Sequence, residues 1–160
     1  MMKQKSMRSF ALLGLLLLGC LGLWAHTHRR EKQTKDIRPM KEIYLAGGCF
    51  WGTEHFFKQV RGVVSTEVGY ANGHKSTAPT YEEVCQHTTG FAETVHIVYA
   101  PEQIDLSKLL ELYFMTINPT TLNKQGGDIG DQYRTGIYYV NEAEKPLIEK
   151  AIAIVAKQYS

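Results

Sequence analysis

From residue 42 onward, hydrophobic and polar positions fall into short alternating or helical stretches separated by glycine-rich gaps. Ile43 to Ala46 reads as a short buried strand, ended by Gly47-Gly48. Trp51 to Val60 then reads as a helix, with Trp51, Phe56, Phe57 and Val60 largely on one side. Val63 to Tyr70 reads as a strand bounded by Gly62 and by Asn72-Gly73. Residues 71–92, rich in Gly, Thr, Asn and His, form a long loop. A loop of that length in a compact domain usually carries function. Glu93 to Tyr99 alternates, with Glu93, Val95, Ile97 and Tyr99 on one face and Thr94, His96 and Val98 on the other. Asp105 caps a helix from Leu106 to Ile117, whose stripe is Leu106, Leu109, Leu110, Tyr113, Phe114 and Ile117. Residues 118–134 are again loop, with Pro119, Gly126, Gly127 and Gly130. Ile137 to Val140 is the last strand. Asn141 opens the last helix, with Pro146 either in its first turn or delaying its start, and Ile148, Ile152 and Val155 on its buried side.

The order is therefore βαβ, long loop, βαβ and a closing helix. Two such units make a ferredoxin-like split βαβ sandwich of the α/β (α+β) class, with an antiparallel or mixed sheet and helices packed on it. No internal repeat or low-complexity tract interrupts it.

The start of the chain has a different pattern. Met1 to Ser9 carries Lys3, Lys5 and Arg8 and no acid, and Phe10 to Leu18 is apolar apart from Gly14. A basic start, a short greasy run and a small residue make a secretory signal over residues 1–25, shorter than the roughly 20 apolar residues of a membrane span. Three fates stay open: lipidation at Cys20, because Leu17-Leu18-Gly19-Cys20 resembles a bacterial lipobox; cleavage after Ala25; or an uncut anchor. Each exports the domain, to the periplasm or a membrane surface. Residues 26–41 read as a polar linker and residues 42–160 as one domain with one core. The whole chain has 18 basic and 16 acidic residues; three of the basic ones leave with the signal, so 15 face 16. That balance gives no basic field for nucleic acid.

Chemistry concentrates at Gly47-Gly48-Cys49-Phe50-Trp51-Gly52. A thiol at a helix start meets unpaired N–H groups and the positive end of the helix dipole, which stabilise a thiolate nucleophile. The competing reading, a cysteine buried for packing, fits the flanking glycines poorly. Glu93 opens an apolar strand after Gly90-Phe91-Ala92; either it lies in solvent at the strand end, or it points inward as a proton donor with a raised pKa. Phe50 and Trp51 are core aromatics or the walls of a methyl-sized pocket. Tyr81, Asp128 and Tyr133 lie in the two long loops, where loop residues serve as turns or as site groups. Cys49 with His55 and Cys85 with His87 have no usual zinc spacing, so no metal is expected. No phosphate loop, dinucleotide fingerprint or haem attachment motif is present.

The segment GCFWGTEHFF closely resembles the signature of type A peptide methionine sulfoxide reductases. GYANG, PTYEEVC, TTGFAETVHIVY and NPTTLNKQGGDIGDQYRTGIYY follow in that family's order and spacing, from about Lys41 onward. The resemblance implies that Cys49 attacks the sulfoxide sulfur, Glu93 protonates the oxygen, and Phe50 and Trp51 hold the substrate methyl. It implies that Tyr81, Asp128 and Tyr133 surround the oxygen and the substrate backbone. Substrates would be free methionine S-sulfoxide or oxidised proteins, and Cys49 would become a sulfenic acid. An external thiol such as thioredoxin would restore it, without a cofactor, in a monomer. Phe91 departs from the family, which usually has histidine there. The end at Ser160 is short for the family, leaving Cys85 as the in-domain candidate for a resolving thiol beside direct reduction from outside. Two alternatives are another thiol enzyme, such as a peroxide reductase, and an inactive remnant that binds methionine-rich proteins. No arginine or threonine pattern near Cys49 supports the first.

Overall fold

The computed structural model describes residues 39–159. The proposed signal, most of the linker and Cys20 lie outside the described residues. Within them, four strands make the main sheet: β1 (Lys41–Gly47), β2 (Val63–Ala71), β3 (Ala92–Tyr99) and β6 (Thr135–Tyr138), in the order β2-β3-β1-β6. That is the order of a split βαβ fold, in which a strand of one unit sits between the two strands of the other. All three pairings are antiparallel, so the sheet takes the antiparallel alternative and is not mixed. Helix α1 (Phe50–Phe57) connects β1 to β2, and α3 (Leu106–Thr116) follows β3. A closing helix α4 (Lys145–Ala156) follows β6.

Strand alternation builds the core. Ile43 and Leu45 of β1 and Val95, Ile97 and Tyr99 of β3 are fully buried, paired as Ile43 with Ile97 and Leu45 with Val95. They join Phe57 of α1, Leu106, Leu109, Leu110 and Tyr113 of α3, and Ile148 of α4. Asp105 caps α3 as its position predicts, its carboxylate accepting the Lys108 N–H at 2.8 Å. The intervening positions of β1 and β3 carry polar groups: Tyr44 stacks on His96 at 4.4 Å, and both hydrogen-bond Glu42.

Four elements differ from expectation. Residues 71–92 are not all loop, since α2 (Tyr81–Cys85) forms there. Its cause is a capping box: Thr80 Oγ1 accepts from Glu83 N, and the Glu83 carboxylate accepts from Thr80 N. Residues 118–134 contain a small hairpin, β4 (Lys124–Gln125) with β5 (Asp128–Ile129), and a 3-10 turn at Asp131–Tyr133. The last strand lies two residues earlier than Ile137–Val140 suggests. Its ladder with β1 pairs Gly47 with Thr135 and Ala46 with Gly136, and the Tyr113 hydroxyl accepts the Gly136 N–H at 3.1 Å. The closing helix buries less than expected: Ile148 is 4% exposed, but Ile152 is 46% exposed and Val155 half-buried. Ile154 and Val155 instead line an open groove against Phe114 and Met115 of α3, of about 810 Å³.

Candidate active site

The turn from β1 into α1 is built by its two glycines. A Cβ on Gly47 would lie 3.0 Å from Ile117 Cγ2 and 3.2 Å from Thr53 Oγ1. Gly48 has φ +87°, and a Cβ there would lie 2.7 Å from Gln125 Cβ. Gln125 is itself fixed, donating to the Asn118 carbonyl and accepting the Asn118 N–H, both at 2.8 Å. The second long loop is thereby packed against the nucleophile turn. Cys49 is the N-cap of α1, with φ −55° and ψ 119°, and its carbonyl accepts from Gly52 N and Thr53 N. Its side chain makes no capping hydrogen bond, so the half-buried thiol remains free. Helix α1 is held to β2 through Glu54, which accepts from Thr66 Oγ1 at 3.0 Å.

Glu93 points inward. It is 3% exposed, and its Oε2 accepts the Phe50 N–H at 2.9 Å. The first free amide of α1 therefore serves the acid. Burial pushes the Glu93 carboxyl above its ordinary range; the Phe50 N–H opposes this and the nearby Asp128 charge adds to it. Burial thus favours the protonated carboxyl, and with Oε2 accepting, Oε1 is the oxygen left to donate a proton.

Three rings stand beside this pair. Phe50 meets Trp51 edge-on at 5.4 Å and Tyr70 at 5.8 Å. Trp51 is 64% exposed, so it is not on the core side of α1 as the helical pattern suggested. Thr53, Glu54 and Phe57 form the buried side instead. Tyr70 was missed by sequence reasoning. The β2–β3 register sets it opposite Glu93, and the alternation of both strands was the signal available for it.

The two long loops bring their groups to the same place. The Tyr133 phenol is raised by burial first and then by Glu93, Asp128, Cys85 and Cys49, which puts it in the field of all four. Tyr81 is exposed on α2, and the Cys85 thiol one turn on, through a side-chain hydrogen bond, lifts its phenol to about 12. Cys49, Phe50, Glu93, Tyr81, Cys85, Asp128 and Tyr133 thus gather at one end of the sheet, with Trp51 joined through Phe50. Phe91 is nearly buried with its ring against Gly73, an apolar neighbour to the Glu93 strand. Among the described residues, no group of three or more His, Cys, Asp or Glu could hold a metal ion. His87 instead pairs with Asp131 at 2.6 Å.

A half-buried thiol at a helix start and a buried acid on the neighbouring strand, on a ferredoxin-like antiparallel sheet, define a domain built for thiol chemistry on a small polar group. Comparison with known proteins narrows the class. The family model for peptide methionine sulfoxide reductase matches residues 41–160, and the chain belongs to that family. A peptide methionine sulfoxide reductase MsrA of Lachnoclostridium phytofermentans is 56% identical over 119 residues, 74% of this chain and 71% of that protein. One from Clostridium botulinum is 51% identical over 120 residues, 75% of this chain and 76% of that protein. Among solved structures, methionine sulfoxide reductase A of Corynebacterium diphtheriae superposes with a TM-score of 0.69 at 36% identity. The match covers 75% of this chain and 57% of that chain. Reduced Mxr1 from Saccharomyces cerevisiae gives 0.71 at 35% identity, over 79% of this chain and 75% of that one.

Proposed function

We propose that this domain reduces methionine S-sulfoxide, free or in oxidised proteins, by thiol catalysis at Cys49. The observation that carries the proposal is the buried Glu93 carboxyl bonded to the Phe50 N–H, one residue from the thiol. The Cys49 thiolate attacks the sulfoxide sulfur. Glu93 gives its proton to the sulfoxide oxygen, with Tyr81 and Tyr133 donating hydrogen bonds to it. The oxygen passes to Cys49, methionine leaves, and Cys49 becomes a sulfenic acid. One thiol then condenses with it, releasing water and forming a disulfide, and a second thiol reduces that disulfide. The balance is one sulfoxide and two thiols to one sulfide, one disulfide and one water.

Phe50 and Trp51 form the wall for the methyl group, and Asp128 lies at the loop edge for the substrate backbone. The reductant is a thioredoxin-like thiol protein; a solved structure of Mxr1 from Saccharomyces cerevisiae in complex with Trx2, 28% identical to this chain with a TM-score of 0.55, supports this. Cys85 is the candidate resolving thiol, and direct reduction from outside is the alternative. Cys85→Ser decides between them: thioredoxin-driven turnover falls with dithiothreitol-driven turnover intact if Cys85 resolves, and both survive if it does not.

The experiment that tests the function is dithiothreitol-driven reduction of both epimers of a protected methionine sulfoxide. Activity on the S epimer, abolished by Cys49→Ser with the fold retained, is the expected result. Activity on neither epimer refutes the proposal. Export through residues 1–25, with Cys20 as lipid site, belongs to the same proposal; its support is the basic and apolar pattern of the leader, and cell fractionation with Cys20→Ala tests it.

A further inference from the structure

We propose that Arg134 is a positioning residue that clasps the two site loops together. Its Nη2 donates to the Gly90 carbonyl at 2.8 Å and to the Asn72 carbonyl at 3.2 Å. Its Nη1 donates to the Asp131 carbonyl at 2.9 Å. One half-buried guanidinium therefore meets three separate turns. The first two carbonyls flank the neck of the 72–90 excursion, just beyond Ala71 and Ala92, the last pair of the β2–β3 ladder. Both belong to residues with positive φ, 57° at Asn72 and 67° at Gly90. The ladder stops where these turns begin, and past the neck a single backbone bond, His74 N to Thr89 O at 2.8 Å, spans the excursion. The guanidinium fork replaces the missing rung.

The third contact ties that neck to the other loop. Asp131 opens the 3-10 turn that carries Tyr133, the residue before Arg134, and Asp128 lies on β5 just ahead of it. His87 adds a parallel tie to the same residue, its Nδ1 lying 2.6 Å from Asp131 Oδ1. Tyr81 and Cys85 ride on one loop, and Asp128 and Tyr133 on the other. Both must face Glu93, which lies three residues past Gly90. A planar fork with several fixed donors can hold three carbonyls at once, whereas a lysine ammonium is a single mobile point. Arg134 touches no reacting atom; it sets where the groups that do so stand.

The inference rests on the sulfoxide-reductase reading for its kinetic consequence and on geometry alone for its structural one, so two measurements are needed. Hydrogen exchange in Arg134→Lys and Arg134→Gln should speed at His74, Gly130 and Tyr133 together, because those amides bond across or within the two loops. The β1 and β3 core amides should keep their wild-type rates. Exchange altered in residues 131–134 only, or raised through the whole sheet, overturns the clasp. In the dithiothreitol assay, Arg134→Lys should lower kcat/KM for the S epimer about tenfold to a hundredfold, the cost of misplacing groups by about 1 Å. Ile148→Ala, a core truncation on α4, is the control for general destabilisation. A loss in Arg134→Lys no larger than in Ile148→Ala overturns the positioning role. In a Tyr81→Phe background the Arg134→Lys loss should shrink, since the group being positioned is gone; a full multiplicative loss counts against the proposal. Wild-type protein inactive on both epimers would remove the reductase reading, while the exchange measurement would still decide the clasp.

Discussion

Replacing Glu93 by glutamine tests the acid at the centre of the mechanism. The residue is 3% exposed, and its Oε2 accepts the Phe50 N–H at 2.9 Å. Glutamine keeps an oxygen that can accept this N–H, so the helix start stays satisfied. It cannot deliver a proton. General-acid assistance is worth about 10²–10⁴ in rate, or about 3–5 kcal/mol of barrier. The S-epimer kcat should fall by that factor, with KM nearly unchanged. The wild-type pH–rate profile should lose activity as pH rises through the upward-shifted Glu93 pKa, and this limb should vanish in Glu93→Gln.

Stability supplies a second reading of the same group. Burial raises the folded-state carboxyl above its ordinary 4.5, so between that value and the folded one the native state holds a proton that the unfolded chain has lost. Stability contributed by Glu93 is therefore present at low pH and declines as pH rises through that window; in Glu93→Gln the decline should flatten. Glu93→Ala leaves the Phe50 N–H without its acceptor in a buried site, at about 1–3 kcal/mol. Urea denaturation should place alanine below glutamine by that amount. Glutamine with wild-type turnover and an unchanged alkaline limb would refute the assignment of the proton to residue 93.

Other perturbations give separate checks. Gly48→Ala puts a Cβ 2.7 Å from Gln125 Cβ at φ +87°, and should cost about 1–3 kcal/mol in urea denaturation, with activity lost as the Cys49 turn moves. Tyr113→Phe removes the donor to the Ala46 carbonyl at 2.7 Å and the acceptor of Gly136 N, joining β1 to β6, and should also cost about 1–3 kcal/mol. Tyr81→Phe should reduce kcat/KM by the same factor at every pH between about 6 and 10, since a phenol lifted to about 12 stays protonated throughout. A factor that shrinks toward pH 9 would show that Tyr81 ionises in the working range.

The sequence pattern reveals strands and helices where one face is continuous. Ile43, Leu45, Val95, Ile97 and Tyr99 alternate, and all are buried. The α3 stripe is likewise visible, and its Leu106, Leu109, Leu110 and Tyr113 are core. Patterning fails where a short local device outweighs composition. The Thr80–Glu83 capping box makes a five-residue helix inside a polar stretch, and only the spacing of those two residues announces it. It fails again at α4, where apolar residues suggest a buried face but Ile152 is 46% exposed and Ile154 lines an open groove. Trp51 reads as core by helical spacing, yet helix α1 turns Thr53, Glu54 and Phe57 inward instead. Of the site, the thiol and its glycines are local and legible. Tyr70, Gln125 and Arg134 are not, because each acts through a partner far away in the chain.

Strand order explains why the acid and the thiol meet. β1 and β3 are antiparallel neighbours, pairing Ile43 with Ile97 and Leu45 with Val95. In an antiparallel ladder each step forward on one strand is a step back on the other, so two further steps set Gly47 against Glu93. The end of β1 and the start of β3 therefore share one edge of the sheet, and the turn after Gly47 lifts Cys49 over it. The Phe50 N–H closes the remaining gap with its bond to Glu93. On the other flank, β2 sets Tyr70 against the same residue. Both loops that carry Tyr81, Asp128 and Tyr133 leave from this edge: one joins β2 to β3 and the other leads into β6. A slip of one residue in the β1–β3 register would turn Glu93 to the opposite face, leave the Phe50 N–H unpaired and strand the thiol without an acid. The chemistry thus depends on a register, and that register is fixed by the apolar pairs Ile43–Ile97 and Leu45–Val95 deeper in the same ladder.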